Sequence, residues 1–333
     1  MTMTGTTRGW VPIAAALLLH AAQGCGGTVE TAPIDGGGGG APNLPSRSCA
    51  PGRVGADNAC GLHADQDCCA ASSIPGGTYN RLNDAKWPAT VSPFRLDLFE
   101  VTVGRFRAFL DAYPASRPAP GDGAHPKIAG SGWQASWNDQ LPSTRAELLT
   151  RVHCAPGDEM CHEEKSSWTD GVGANERLPM AVIDWHVAFA FCAWDGGRLP
   201  TDAEWNFAAV GGSEQRPYPW GTAPLDTSRA VYLDTPSGWR VPVGSVPAGV
   251  GRWGQLDLSG SRLEMVLDHV GTDIDKLVAP CDDCADLATD KLDTVDRDMS
   301  FNQGVLFPAA TARTNLGHGL RFSAVGVRCA RDP

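Results

Sequence analysis

Residues 196–209 read GGRLPTDAEWNFAA, and these fourteen residues hold a helix stop, a turn and a helix start. Gly196 and Gly197 suit the end of a helix, where a left-handed residue lets the last carbonyls find partners. Thr201 followed three residues later by Glu204 is a capping box, so a new helix is predicted to begin at Thr201. Ala203 and Phe207, four apart, then face the core with Ala208 beside them. Upstream, Asp184 offers the cap for the helix that Gly196 ends, with Val187, Phe191 and Trp194 on its apolar side. His186 falls in the first turn beside Trp185; it reads as structural, with ligand or base as the alternative.

Farther out the pattern stays mixed. Residues 178–183 (LPMAVI) read as a strand. Residues 74–79 (IPGGTY) read as a turn entering a strand, and 94–99 (FRLDLF) alternate as a half-buried strand does. Thr102 caps a helix with Phe106, Phe109, Leu110 and Tyr113 on one side. Residues 114–177 are rich in Gly, Pro and Trp and read as loop; Trp133, Trp137 and Trp168 are expected mostly in the core, with a cleft wall as the alternative.

A chain of 333 residues, 42% hydrophobic, is long enough for a sizeable core in one large domain or two small ones. Its 39 Gly and 25 Pro argue for many loops and few long helices. A net charge of −11 opposes electrostatic capture of nucleic acid or of an anionic membrane.

The N-terminus reads as an export signal. Arg8 precedes an apolar stretch at 10–22 that is too short to span a bilayer. Ala22-Gln23-Gly24-Cys25 resembles a lipobox, which makes 1–24 a signal peptide and Cys25 a lipidated mature N-terminus. Membrane contact is then expected through the lipid anchor alone. Gly26 carries no inner-membrane retention signal, so the expected place is the outer membrane, on its periplasmic or surface face. Residues 25–48 form a Gly/Pro-rich tether, 49–73 a Cys-rich lead-in, and 74–333 the main domain.

Export places the ten remaining cysteines in an oxidising compartment, where disulfides are expected. Cys49, Cys60, Cys68 and Cys69 read as a stapled lead-in of open connectivity, with a zinc site as the alternative. Cys154 and Cys161 would close a short ring. Cys281 and Cys284 read as a short-loop disulfide, because Asp282, Asp283 and Asp286 disfavour a thiolate and one CxxC is too few ligands for closed zinc, with a redox or metal role as the alternative. Residues 268–298 hold ten Asp and read as a solvated loop.

The 196–209 string, YPWG at 218–221, PGGTY at 75–79, FRLDLFEVT at 94–102 and RFRAF at 105–109 resemble the formylglycine-generating enzyme (sulfatase-modifying factor) family. The resemblance runs from about 74 to 331. It implies an α+β fold of the C-type-lectin-like kind, loop-rich, with short helices and small twisted antiparallel sheets. It also implies a disulfide between Cys192 and Cys329, tying the last strand to the central helix; on the chain-entropy model this stabilises by roughly 4 kcal/mol.

The family's copper site needs two cysteines just after an Arg-Gly-Gly-Ser-Trp or Phe segment. The matching segment here is 298–304 (DMSFNQG), and no cysteine lies between Ser300 and Cys329. Val305 to Pro308 occupy the second thiol's place, so soft Cu(I) has no seat and formylglycine generation is not expected. The resemblance further implies Ca²⁺ held by the Asp257 side chain, the Gly260 and Arg262 carbonyls and the Glu264 carboxylate; Ser261 and Leu263 stand where Asn and Trp are usual. At the family's other Ca²⁺ position Val231 replaces the first Asn. Iron relatives carry a His-x3-His-x-Glu triad in an additional domain, and the eight His here show no such spacing.

The expected cleft lies between the Trp-rich loops and residues 300–321. The expected function is a monomeric, Ca²⁺-stabilised binding module on a degenerate enzyme fold, holding an envelope peptide, glycan or protein. The alternatives are an iron or copper oxidase of proteins or peptides, using His318, His186 or the acidic stretch, and formylglycine generation at an unorthodox site.

Overall fold

The computed structural model describes residues 46–52, 60–155, 157, 161–232, 235, 240–270, 277–288, 293–297 and 309–333. The signal, Cys25 and all but the last residues of the tether lie outside them, as does 298–308. Among the described residues no helix is long and apolar enough to cross a membrane.

Short strands open the chain: β1 (Ala71–Ile74), β2 (Gly77–Asn80), β3 (Pro88–Val91) and β4 (Phe94–Asp97). Helices follow as α1 (Val103–Asp111), α2 (Arg145–Arg151), α3 (Trp185–Trp194) and α4 (Asp202–Ala209). The second half adds β5 (Leu263–Val270), β6 (Cys281–Asp282), β7 (Asp293–Arg297), β8 (Arg313–Gly317), β9 (Val325–Gly326) and β10 (Ala330–Arg331). They make three small sheets, ordered β1-β4-β10, β2-β3-β6 and β8-β7-β5-β9. β4 pairs antiparallel with both β1 and β10, so the last residues of the chain join the sheet of β1 and β4. In the third sheet β7 runs antiparallel to both β5 and β8, while β9 runs parallel to β5.

The cap signals act as read. The Thr102 side chain accepts from Arg105 N, Asp184 from Val187 N, and Thr201 and Glu204 close both halves of the capping box. α3 ends in a Schellman turn: Gly196, at φ 83°, donates to the Ala193 carbonyl and Gly197 to that of Cys192. Gly197 cannot carry a side chain, because a Cβ there would lie 2.5 Å from the Ala330 carbonyl oxygen. α3 is apolar nearly all round, as a helix buried on every side must be, with Phe189 and Ala190 adding a second buried face.

Three readings need correction. Residues 178–183 form no strand: Pro179 makes one isolated bridge to Thr102. The backbone then leaves extended geometry, with Val182 at φ 62°. The 114–177 loop contains α2, whose Thr144 cap accepts from Glu147 N while Ser143 N donates to the Glu147 carboxylate. The described residues of 268–298 are no solvated loop. They include β6 and β7, and Asp268, Asp283 and Asp296 are buried. Asp268 and Asp283 are turned inward by main-chain donors, from Asp202 and Asp286 for the first and Ser92 for the second.

The cysteines join as Cys49–Cys69, Cys60–Cys68, Cys154–Cys161, Cys192–Cys329 and Cys281–Cys284. With Cys49 and Cys69 bonded, zinc at the lead-in has no thiolates. The lead-in is packed into the main body: Ser48 N donates to Asp195 at 2.7 Å, and Leu98 N donates to the Ala70 carbonyl. Ser48, at the end of the stretch that composition assigns to the tether, is thus part of the packed body.

Candidate functional site

The turn at 257–264 gathers the residues expected to hold Ca²⁺. Asp257, Gly260 and Ser261 all have positive φ, at 59°, 85° and 62°. That winding is possible at Gly260 because it packs against the Val231 backbone, where a Cβ would lie 2.4 Å from the carbonyl oxygen. Asp257 accepts from Gly244 N at 2.6 Å. Glu100, not foreseen, closes the turn by accepting from Ser261 Oγ and Arg262 N at 2.9 and 3.0 Å. Burial raises the carboxyls of both Glu100 and Asp257, the latter to about 6.

Glu264 is differently placed. Its carboxylate accepts from Arg328 Nε and Nη2 and from Trp205 Nε1, at 2.6–2.9 Å, with Arg328 and Glu264 both fully buried. Two carboxylates and two main-chain carbonyls on one buried turn suit a hard cation. A cation there would share Glu264 with Arg328. The Val231 position lies beside this turn, with its carbonyl taken by Ser261 N.

The second constellation sits at the N-terminal end of α3. A half-enclosed cavity of about 290 Å³ is lined by Gln140, Arg151, Asp184, His186, Gly319 and Arg321. Its walls come from the Trp-rich loop, the end of α2, the cap of α3 and the chain after β8. This agrees with the expected cleft between Trp-rich loops and the C-terminal segment, for the part within the described residues. The wall after β8 is fastened in place: Trp185 N donates to the His318 carbonyl, Val182 N to that of Phe322, and Arg321 Nη1 to that of Arg151.

Arg151 donates to the Gln140 carbonyl at 2.7 Å and reaches Asp184 at 3.4 Å. His186 packs edge-on against Trp133, Trp137, Trp185 and His318. Burial first, then His318, His269 and Arg151, lowers His186 to about 4. His318 and His269 share a hydrogen bond of 2.7 Å between Nε2 and Nδ1. Burial lowers His318 as well. Both rings face Trp185, so His186 and His318 do come together, with His269 as an unforeseen third. Of the three expected tryptophans, Trp133 and Trp168 are buried and Trp137 is half-buried.

Sequence reasoning missed Gln140, Arg151, His269 and Arg321. Arg321 and the Arg151 carbonyl it binds are 170 residues apart, beyond any local pattern. The copper-position segment at 298–308 lies outside the described residues.

The model of the sulfatase-modifying factor enzyme 1-like domain matches residues 60–333. The chain belongs to that family. Among curated relatives it is 33% identical over 161 residues to the mouse (Mus musculus) protein named inactive C-alpha-formylglycine-generating enzyme 2, covering 44% of this chain and 49% of that one. It is 29% identical over 181 residues to hercynine oxygenase of Mycolicibacterium smegmatis, covering 52% of this chain and 37% of that one. The chain thus spans about half or less of the length of these relatives. Among solved structures, PvdO from Pseudomonas aeruginosa superimposes with a TM-score of 0.53 at 21% identity, over 79% of this chain and 94% of that one. The fold is accordingly the α+β, C-type-lectin-like fold of the family.

Proposed function

We propose that this sulfatase-modifying-factor-type domain is a binding module on a degenerate enzyme fold, part of an exported lipoprotein anchored through Cys25. The observation that carries the reading is the state of its sulfur. Every cysteine from Cys49 to Cys329 is half of a disulfide, so the domain holds no thiolate for Cu(I). Similarity to a relative named inactive is consistent with this. The ligand is an envelope peptide, glycan or protein, met as a monomer and without nucleic acid. Ca²⁺ at Asp257, Gly260, Arg262 and Glu264 stabilises the module.

The alternative reading is an oxidase of proteins or peptides using iron or copper. His186, His269 and His318 gather beside Trp185, but His269 and His318 are hydrogen-bonded to each other and the three do not converge as a metal-ligand set among the described residues. Metal analysis of the exported protein, followed by incubation of copper- or iron-loaded samples with a CxPxR peptide, separates the two. The binding reading expects bound calcium, a lower Tm after EGTA and an unaltered peptide cysteine. Aldehyde formation in the peptide overturns it.

A further inference from the structure

The cavity at the N-terminal end of α3 carries more positive charge than the fold can use. Asp184 is committed: its Oδ1 caps the helix through Val187 N at 3.0 Å, and its other oxygen faces Arg151 at 3.4 Å. Arg321 is held by the Arg151 and His153 carbonyls through Nη1 alone, and forms no ion pair with a carboxylate among the described residues. Two guanidinium groups therefore face one carboxylate across a cavity of about 290 Å³. This local excess stands in a chain of net charge −11.

His186 supplies the independent sign of a ligand. It is only 8% exposed and lines the cavity, yet its ring makes no hydrogen bond among the described residues. Its ring nitrogens are thus open to the cavity and free to pair with whatever enters it. Its surroundings hold the ring neutral, so one nitrogen keeps a proton to donate and the other can accept.

We propose that this cavity binds the free carboxylate of a small molecule or chain end, gripped by Arg321 and Arg151 and met by His186. The Nε–Nη2 edge of Arg321 suits the two oxygens of a carboxylate side by side. One net positive charge calls for a monoanion; a phosphate dianion would set surplus negative charge against buried Asp184. The cavity lies near the small end of ligand sites, so it takes an end group and leaves the rest of the ligand outside. Half-buried Trp137 packs on the His186 ring and helps hold it at the cavity wall. The inference rests on the binding-module reading and specifies its ligand.

The test is calorimetric titration of the whole exported protein with N-acetylglycine, glucuronate, N-acetylglycinamide and inorganic phosphate. The first two stand for a peptide end and an acidic sugar, and the stronger of them tells which source the cavity prefers. At least one should bind tenfold or more tighter than the amide and than phosphate. Arg321→Met should weaken carboxylate binding at least tenfold in a protein that still unfolds cooperatively. Arg151→Met is the second variant should the first fail to fold, since Arg151 is partly exposed. Equal binding of carboxylate and amide, tighter binding of phosphate, or full binding by a folded arginine variant overturns the proposal. None of these outcomes involves peptide oxidation, so the proposal can fail while the binding-module reading stands.

Discussion

The two ends of α3 do opposite things with their polar groups. At the C-terminal end, Gly196 and Gly197 satisfy the last carbonyls, and Cys192 is bonded to Cys329. Asp195 binds Arg105 and Arg331, while Glu204 binds Arg198. At the N-terminal end, Arg321 forms no ion pair and the His186 ring no hydrogen bond among the described residues. Buried charge that is fully partnered is architecture; charge held in place without a partner is where a ligand is to be sought.

Three measurements test how firmly the partnered side is built. The largest effect is expected at Arg328. Arg328→Met strands Glu264 as an uncompensated buried carboxylate and should cost about 3–5 kcal/mol in denaturant unfolding. A loss below about 1 kcal/mol would mean that Glu264 is neutralised by something else, such as a cation. Next comes acid. Burial alone would raise Glu204, but the Arg198 guanidinium and His125 bring it down to about 2 from an ordinary 4.5. A carboxyl lowered on folding adds stability above its ordinary value and loses it as pH falls through the folded one. Roughly 3 kcal/mol should therefore disappear between pH 4.5 and about 2. Urea midpoints across that range should fall more steeply for the wild type than for Glu204→Gln; parallel curves would show that the pair is not formed. The smallest effect is at the cap: Thr201→Ala removes the acceptor for Glu204 N and should cost about 1 kcal/mol, read as a lower Tm.

What could be read in advance follows the range of each signal. Thr102, Asp184 and Thr201 act on residues three positions away, and each caps the helix expected of it. Thr144 with Glu147 carried the same signal within the Trp-rich stretch, where irregular composition hid a short helix. The LPMAVI run misled because its apolar residues serve a buried irregular segment as well as they would serve a strand. The Asp-rich stretch misled because composition cannot tell a solvated carboxylate from one that accepts main-chain hydrogens. The cavity depended on Gln140, Arg151, Asp184 and Arg321, which only the folded chain brings together.

The Cys192–Cys329 bond has a consequence for how the molecule can be damaged. It closes a covalent ring over a separation of 137 residues, which contains α4, the turn at 257–264 and the whole β8-β7-β5-β9 sheet. A protease cut anywhere inside that ring opens the backbone without releasing a fragment. Such a nicked molecule gains only the one water of hydrolysis and runs as two pieces only after reduction. The folded domain can thus outlast the integrity of its main chain.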